Sequence, residues 1–302
     1  MRRAATLLLL IAPMLISVPA CKLASRQRVQ AINRLNEGIS LEKRSNTSGA
    51  EKALKEAIEI DPTFAKPYWT LGQMYRKQGK LVDAEKMFRG AIENMKEEPN
   101  ADYPYQLGAV LAAEGEAPGV SQTDEAAKYN DAIAQFQEAI KLDPNHYKAY
   151  YRTGVLYEKL DQPQKADQSL RKAIELRPTY SVSFVALGHL YIDYGHANVG
   201  QAVLEIGTQI NDKDAQMWNG LGRAQFLLNK PNEAIESFKK AKAIDPDMVD
   251  VLYGLGMAYA EVRNRKEAVE ALQAFLAKAG NDVPEDRKRA ANDTMARIKD
   301  VI

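Results

Sequence analysis

The chain is poor in the residues that do covalent or metal chemistry. Among its 302 residues there is one cysteine, Cys21, and there are three histidines, His146, His189 and His196. A single cysteine excludes an internal disulfide framework and any Cys-rich zinc site. Neither sign of charge is in excess. Lys and Arg number 41 against 40 Asp and Glu, so there is no basic field to hold the phosphates of a nucleic acid and no acidic tail. Hydrophobic residues make up 45% and charged residues 27%, which excludes a disordered chain, a collagen-like fibre and a polytopic membrane protein.

The first twenty residues read as a targeting segment. Arg2 and Arg3 precede an apolar run, Thr6 to Val18, which is too short for a comfortable membrane span. Val18-Pro19-Ala20 then places small residues before Cys21. The arrangement resembles a bacterial lipobox, which implies cleavage before Cys21 and lipidation of its thiol. The same Val-Pro-Ala also fits ordinary signal peptidase, which would give a soluble periplasmic protein. Loss of residues 1–20 removes two arginines and leaves 39 Lys and Arg against 40 Asp and Glu. So neutral a protein has no electrostatic reason to lie on an anionic membrane. Acyl chains on Cys21 would hold it instead, at about 0.8 kcal/mol per buried CH₂. Lys22 follows the cysteine, and by resemblance to enterobacterial lipoproteins it implies the outer membrane, facing the periplasm. Residues 21–30 read as a tether.

The remainder is periodic. Gly154, Gly188, Gly222 and Gly256 recur every 34 residues. Three positions on stand Tyr157, Tyr191 and Tyr259, and twelve on stand Ala166, Ala234 and Ala268. Gly38, Gly72 and Gly108 extend the series backward. Each period carries two amphipathic runs with apolar residues at i, i+3, i+4 and i+7. Asp61-Pro62, Asp143-Pro144, Arg177-Pro178 and Asp245-Pro246 end the second run. One such unit cannot bury its apolar face alone, so successive units stack.

This pattern resembles the tetratricopeptide repeat (TPR), a 34-residue helix-turn-helix. The resemblance implies an all-α, right-handed solenoid of about seven repeats over residues 31–282. Units start near 31, 65, 101, 147, 181, 215 and 249, and a capping helix follows over 283–302. In the cap, Met295 and Ile298 are expected to face inward, and Asp286, Arg287, Lys288 and Arg289 outward. The third unit carries an insertion, 115–126, whose Gly, Pro and polar residues read as a loop. The fifth has Gly200 and Gly207 where alanine is usual and Asp212 where proline is usual, which leaves sequence drift and a softer joint both open.

In the family the first helices line a concave groove, at positions six and three before the glycine and one, four and five after it. Carried onto this chain, those positions hold Lys66, Trp69, Gln73, Arg76, Tyr105, Lys148, Tyr151, His189, Gln216, Asn219, Arg223, Phe226 and Tyr253. Aromatic groups interleaved with amides and cations suit a peptide, through burial and backbone hydrogen bonds. The alternative is that these rings pack on neighbouring helices and bind nothing. No unit has the Lys-and-Asn pair of carboxylate-clamping cochaperones. Gly220-Leu221-Gly222 and Gly254-Leu255-Gly256 do not complete a dinucleotide fingerprint. No catalytic constellation, metal set or cofactor motif is present, so no enzyme, cofactor or small-molecule substrate is expected. The partner expected is a protein or peptide. The layout resembles TPR lipoproteins that serve as pilotins of type IV pili, implying a secretin-like subunit; a cell-wall enzyme is the other candidate.

Overall fold

The computed structural model describes residues 26–95, 99–281 and 283–299. Cys21 and the whole targeting segment lie outside them. Fifteen α-helices and no strand occur among the described residues: α1 (Arg26–Lys43), α2 (Thr47–Ile60), α3 (Ala65–Lys77), α4 (Leu81–Glu93), α5 (Asp102–Gly115), α6 (Gln122–Leu142), α7 (Tyr147–Lys159), α8 (Pro163–Leu176), α9 (Val182–Asp193), α10 (Ala197–Ile210), α11 (Ala215–Leu227), α12 (Pro231–Ile244), α13 (Val249–Glu261), α14 (Arg265–Lys278) and α15 (Glu285–Lys299). The first fourteen pair into seven hairpins, each packed on the next, and α15 closes the stack against α13 and α14. Helix α1 begins at Arg26, so part of the stretch read as tether is helical. Arg28 on it pairs with Asp61 and lies over the Phe64 ring.

One contact explains the period. In every hairpin the glycine of the first helix receives a large side chain from the second: Leu54, Phe88, Phe136, Leu170, Leu204, Phe238 and Leu272 fill the seven places. A Cβ at Gly154 would lie 2.7 Å from Leu170 Cγ, and one at Gly222 would lie 2.7 Å from the Phe238 ring. The side chains seated there are buried, each worth about 1.5–3 kcal/mol of apolar transfer. Any larger residue in place of the glycine would force the two helices apart.

The ends of the helices follow local rules. Between the two helices of a unit the chain turns through one left-handed residue: Ser45, Gly79, Gly119, Asp161, Gly195, Asn229 or Arg263. That position is regular, yet only three of the seven are glycine, which hides it in the sequence. Four second helices, α2, α6, α10 and α12, end in an aspartate or asparagine turn, with Asp61 Oδ1 accepting from Thr63 N–H at 3.1 Å and Asp245 Oδ1 from Asp247 N–H at 3.0 Å. Asn211 makes the same turn to Lys213 at 3.1 Å, so the fifth unit stops without its proline. Its glycines leave no void. A Cβ at Gly200 would lie 2.8 Å from Ile192 Cγ1, and one at Gly207 would meet Met217 Sδ.

The loop expected over 115–126 is only half of that stretch. Glu116–Ser121 turn, while Gly115 ends α5 and residues 122–126 open α6, which runs to 21 residues. Ser121 starts it, its Oγ accepting from Asp124 N–H at 3.1 Å. The added turns are held by Tyr129 Oη donating to Glu125 at 2.6 Å, Lys128 to Glu114 at 2.5 Å and Lys159 to Glu116 at 2.5 Å. Burial pushes the Glu114 carboxyl above its ordinary range, and Lys128 offsets only part of this. In the cap, Ala291, Thr294 and Met295 are buried and Ile298 is half-buried. Arg287 does not face outward: it lies over the Tyr253 ring, 4.6 Å from its centroid, and pairs with Asp250 at 2.7 Å.

Candidate binding groove

First helices of successive units touch one another: α1 meets α3, α5 meets α7, α7 meets α9, α9 meets α11, α11 meets α13 and α13 meets α15. Among the described residues, second helices do not pack on one another to a comparable extent. The first helices therefore line the inner, shorter side of the stack, where the thirteen expected groove positions lie. The two halves of that inner surface differ.

In units two to four the rings pack on each other. Trp69 lies against Tyr103 with centroids 6.1 Å apart, and its indole Nε1 is buried without a hydrogen-bond partner. Tyr105 packs on Phe136 at 5.6 Å and on His146 at 4.7 Å. Tyr151 meets Tyr180 edge-on at 5.4 Å, and burial raises its phenol above the ordinary value. Lys66, Arg76 and Lys148 are exposed, and Gln73 accepts from Arg76 at 3.4 Å. His146 caps α7, its Nδ1 accepting from Ala149 N–H at 3.1 Å. Beside it a shallow depression of about 280 Å³ opens between Tyr105, Gln106, Tyr147 and Lys148. For these rings, the packing alternative describes much of what is seen.

Units five to seven enclose a cavity of about 480 Å³. It brings together His189, Gln216, Asn219, Arg223, Phe226 and Tyr253, all expected groove residues, with Leu227, Phe238, Asp250, Gly254, Met257 and Arg287. Gly220 lets α9 and α11 approach, since a Cβ there would lie 3.0 Å from His189 Nε2. Gly254 likewise admits the Phe238 ring, so both Gly-x-Gly stretches serve close packing. The apolar floor is Phe226, Phe238, Tyr253 and Met257. Leu227, on the lining, is 56% exposed.

The polar lining is unevenly satisfied. Arg223 pairs with Asp193 at 2.5 Å, as Arg287 does with Asp250. Asn219 is only 8% exposed, yet its side chain makes no hydrogen bond within the described chain. His189 Nε2 is buried without a partner. Burial, reinforced by the Arg223 cation, holds the His189 imidazole below its ordinary pKa, against the opposing pull of Asp193 and Asp250. Burial also raises the nearby Glu158 carboxyl, with Asp193 adding to the shift. Two of the lining residues that the sequence reading missed follow the same register. Asp250 stands six before Gly256, and Arg287 stands three before the place an eighth glycine would take, because α15 continues the period.

Among the described residues no group of three or more His, Cys, Asp or Glu is placed to hold a metal ion. None of the described helices is long and apolar enough to cross a membrane. Models of the tetratricopeptide repeat match residues 35–104, 135–168, 215–248 and 250–282, together more than half of the chain. Among curated proteins, anaphase-promoting complex subunit 3 of Schizosaccharomyces pombe is 23% identical over 71% of this chain but only 30% of its own length. The chain thus spans less than a third of that relative. Among solved structures, a tetratricopeptide repeat protein of Parabacteroides merdae matches 90% of this chain and 99% of its own, with TM-score 0.62 and 15% identity. PilF of Pseudomonas aeruginosa matches over 74% and 96%, with TM-score 0.57 and 17% identity. YrrB, described as a TPR protein with an unusual peptide-binding site, matches over 67% and 97%, with TM-score 0.52 and 21% identity.

Proposed function

The chain belongs to the tetratricopeptide repeat family, and from that premise we propose that it is a non-catalytic scaffold, lipid-anchored at the periplasmic face of the outer membrane, holding a segment of a partner protein in its concave groove. Proteins built from these repeats are generally protein–protein interaction scaffolds. The observation that carries the groove is the inner surface itself: expected contact residues from three successive units meet at one cavity, joined by Arg287 of the cap, and the Asn219 amide on its wall makes no hydrogen bond within the described residues. A primary amide on a groove wall both donates and accepts, which suits the backbone of an incoming segment. The tether rests on Cys21, the sole cysteine, directly after the small residues of a targeting segment. The partner class proposed is a secretin-like subunit of the outer membrane.

Two measurements test this. Intact mass of the protein purified from membranes should show residues 1–20 removed and acyl mass on Cys21; a bare thiol contradicts the anchor, as does a Cys21→Ala protein that still fractionates with membranes. Affinity capture from solubilised outer membranes should enrich a secretin-like protein, and Lys148→Ala, at an exposed expected groove position, should weaken that capture. Enrichment of cell-wall hydrolases instead would move the protein to an adaptor for those enzymes.

A further inference from the structure

The groove reading leaves open what kind of side chain the groove grips, and the cavity of units five to seven answers it. Three observations bear on the occupant. The floor is apolar, and its size, about 480 Å³, falls among sites that bury most of a bound group. Two cations among the described residues stand on its wall, Arg223 and Arg287, and each is matched by a carboxylate of this same chain, at 2.5 and 2.7 Å. The rim therefore carries no net charge, and an incoming carboxylate would meet cations whose charge Asp193 and Asp250 already balance. Finally, Asn219 stands in the wall more than nine-tenths buried, with its amide unpaired. A primary amide both donates and accepts, which is what a peptide group needs.

We infer that this cavity is the anchor point of the groove: it takes an uncharged apolar side chain, such as leucine, methionine or phenylalanine, from a segment whose adjacent peptide group pairs with Asn219. The inference rests on the groove reading and adds the chemistry of what is held. Acidic side chains are disfavoured, because their charge would be buried against a rim that has already neutralised its own cations. Gln216 stands exposed at the mouth, so a bulky residue there closes the entrance without touching the core.

The probes are single blocked amino acids: N-acetyl-leucinamide, N-acetyl-phenylalaninamide and N-acetyl-aspartic acid amide, titrated into the full-length protein carrying 13C-methyl methionine and 15N side-chain amides. Met257 is one of nine methionines and reports from the floor; Asn219 reports from the wall. The expected result is saturable movement of both signals with the two apolar probes, at least about tenfold weaker binding of the acidic probe, and loss of the response in Gln216→Trp. Equal or tighter binding of the acidic probe overturns the inference. So does movement of Met257 in Gln216→Trp as large as in the unaltered protein. If no probe moves Met257 or Asn219, the anchor is wrong. The groove reading is judged apart from that, by capture with Lys148→Ala, which lies outside this cavity.

Discussion

Units two to four and units five to seven share one fold and one register but present different inner surfaces. At the position three before the glycine, the first set carries Trp69, Tyr105 and Tyr151, and the second carries Val185, Asn219 and Tyr253. One position later, Thr70, Gln106 and Arg152 give way to Ala186, Gly220 and Gly254. Large rings on the first set fill the space between neighbouring units. Small residues on the second bring the helices closer and leave a hole with an apolar floor. In a solenoid each unit touches only its neighbours, so such a change of character along the groove costs nothing elsewhere in the stack. The first set uses its aromatics to hold the curve, and the second keeps room for a guest.

Substitutions can break that comparison, and the largest effect belongs to the ring that supports the filled half. Phe136 is wholly buried, seated on Gly108 and touching Tyr105. Phe136→Ala should cost about 3–5 kcal/mol of stability, seen as a loss of several degrees in Tm by circular dichroism. In the open half, Phe226→Ala should cost less, because that ring is only half-buried on a cavity wall. A larger loss for Phe226 than for Phe136 would reverse the assignment of roles.

Next comes a pair of tyrosines at equivalent positions. Tyr105→Ala should lower stability more than it lowers partner affinity, since its ring packs on Phe136 and His146. Tyr253→Ala should do the opposite, weakening the captured partner by about 2 kcal/mol if it is a hot spot. Calorimetry on the two variants separates these outcomes.

Smaller still is a pH effect confined to the open half. The folded His189 has a depressed pKa from burial, so below its unfolded value the unfolded chain binds the extra proton first. The His189 contribution is then complete above about pH 6.5 and is lost as pH falls from there through the folded value. Unfolding midpoints between pH 7 and pH 5 should therefore drop more for the natural protein than for His189→Gln. Equal slopes would mean that the imidazole is as well solvated as in the unfolded chain. Smallest is Asp193→Asn, which breaks an ion pair whose partners are 48% and 44% exposed and should change stability by under about 1 kcal/mol. Its larger consequence should be on selectivity, since it frees Arg223 and raises the affinity of the acidic probe.

Much of this was legible in the sequence because a 34-residue period repeats its information seven times. Gly154, Leu170 and their equivalents state the hairpin over and over, and the inner face follows from helical geometry alone. The insertion misled because Gly115, Pro118 and Gly119 mark a turn while Ser121 and Asp124, three apart, quietly begin a helix. Arg287 was read as solvent-facing because the cap lacks the repeat's glycine, although its register continues into α15. What no single position reveals is whether a ring on the inner face meets another ring or empty space. That depends on how closely two units approach, which Gly220 sets from the neighbouring helix.

The most direct test of the account places a photo-crosslinking residue at Gln216, on the mouth of the cavity, and at Glu236, exposed on α12 among the second helices. With the full-length protein in its own cell, the account predicts a covalent adduct to the partner from position 216 and none from position 236. An adduct from position 236 with none from 216 would contradict it.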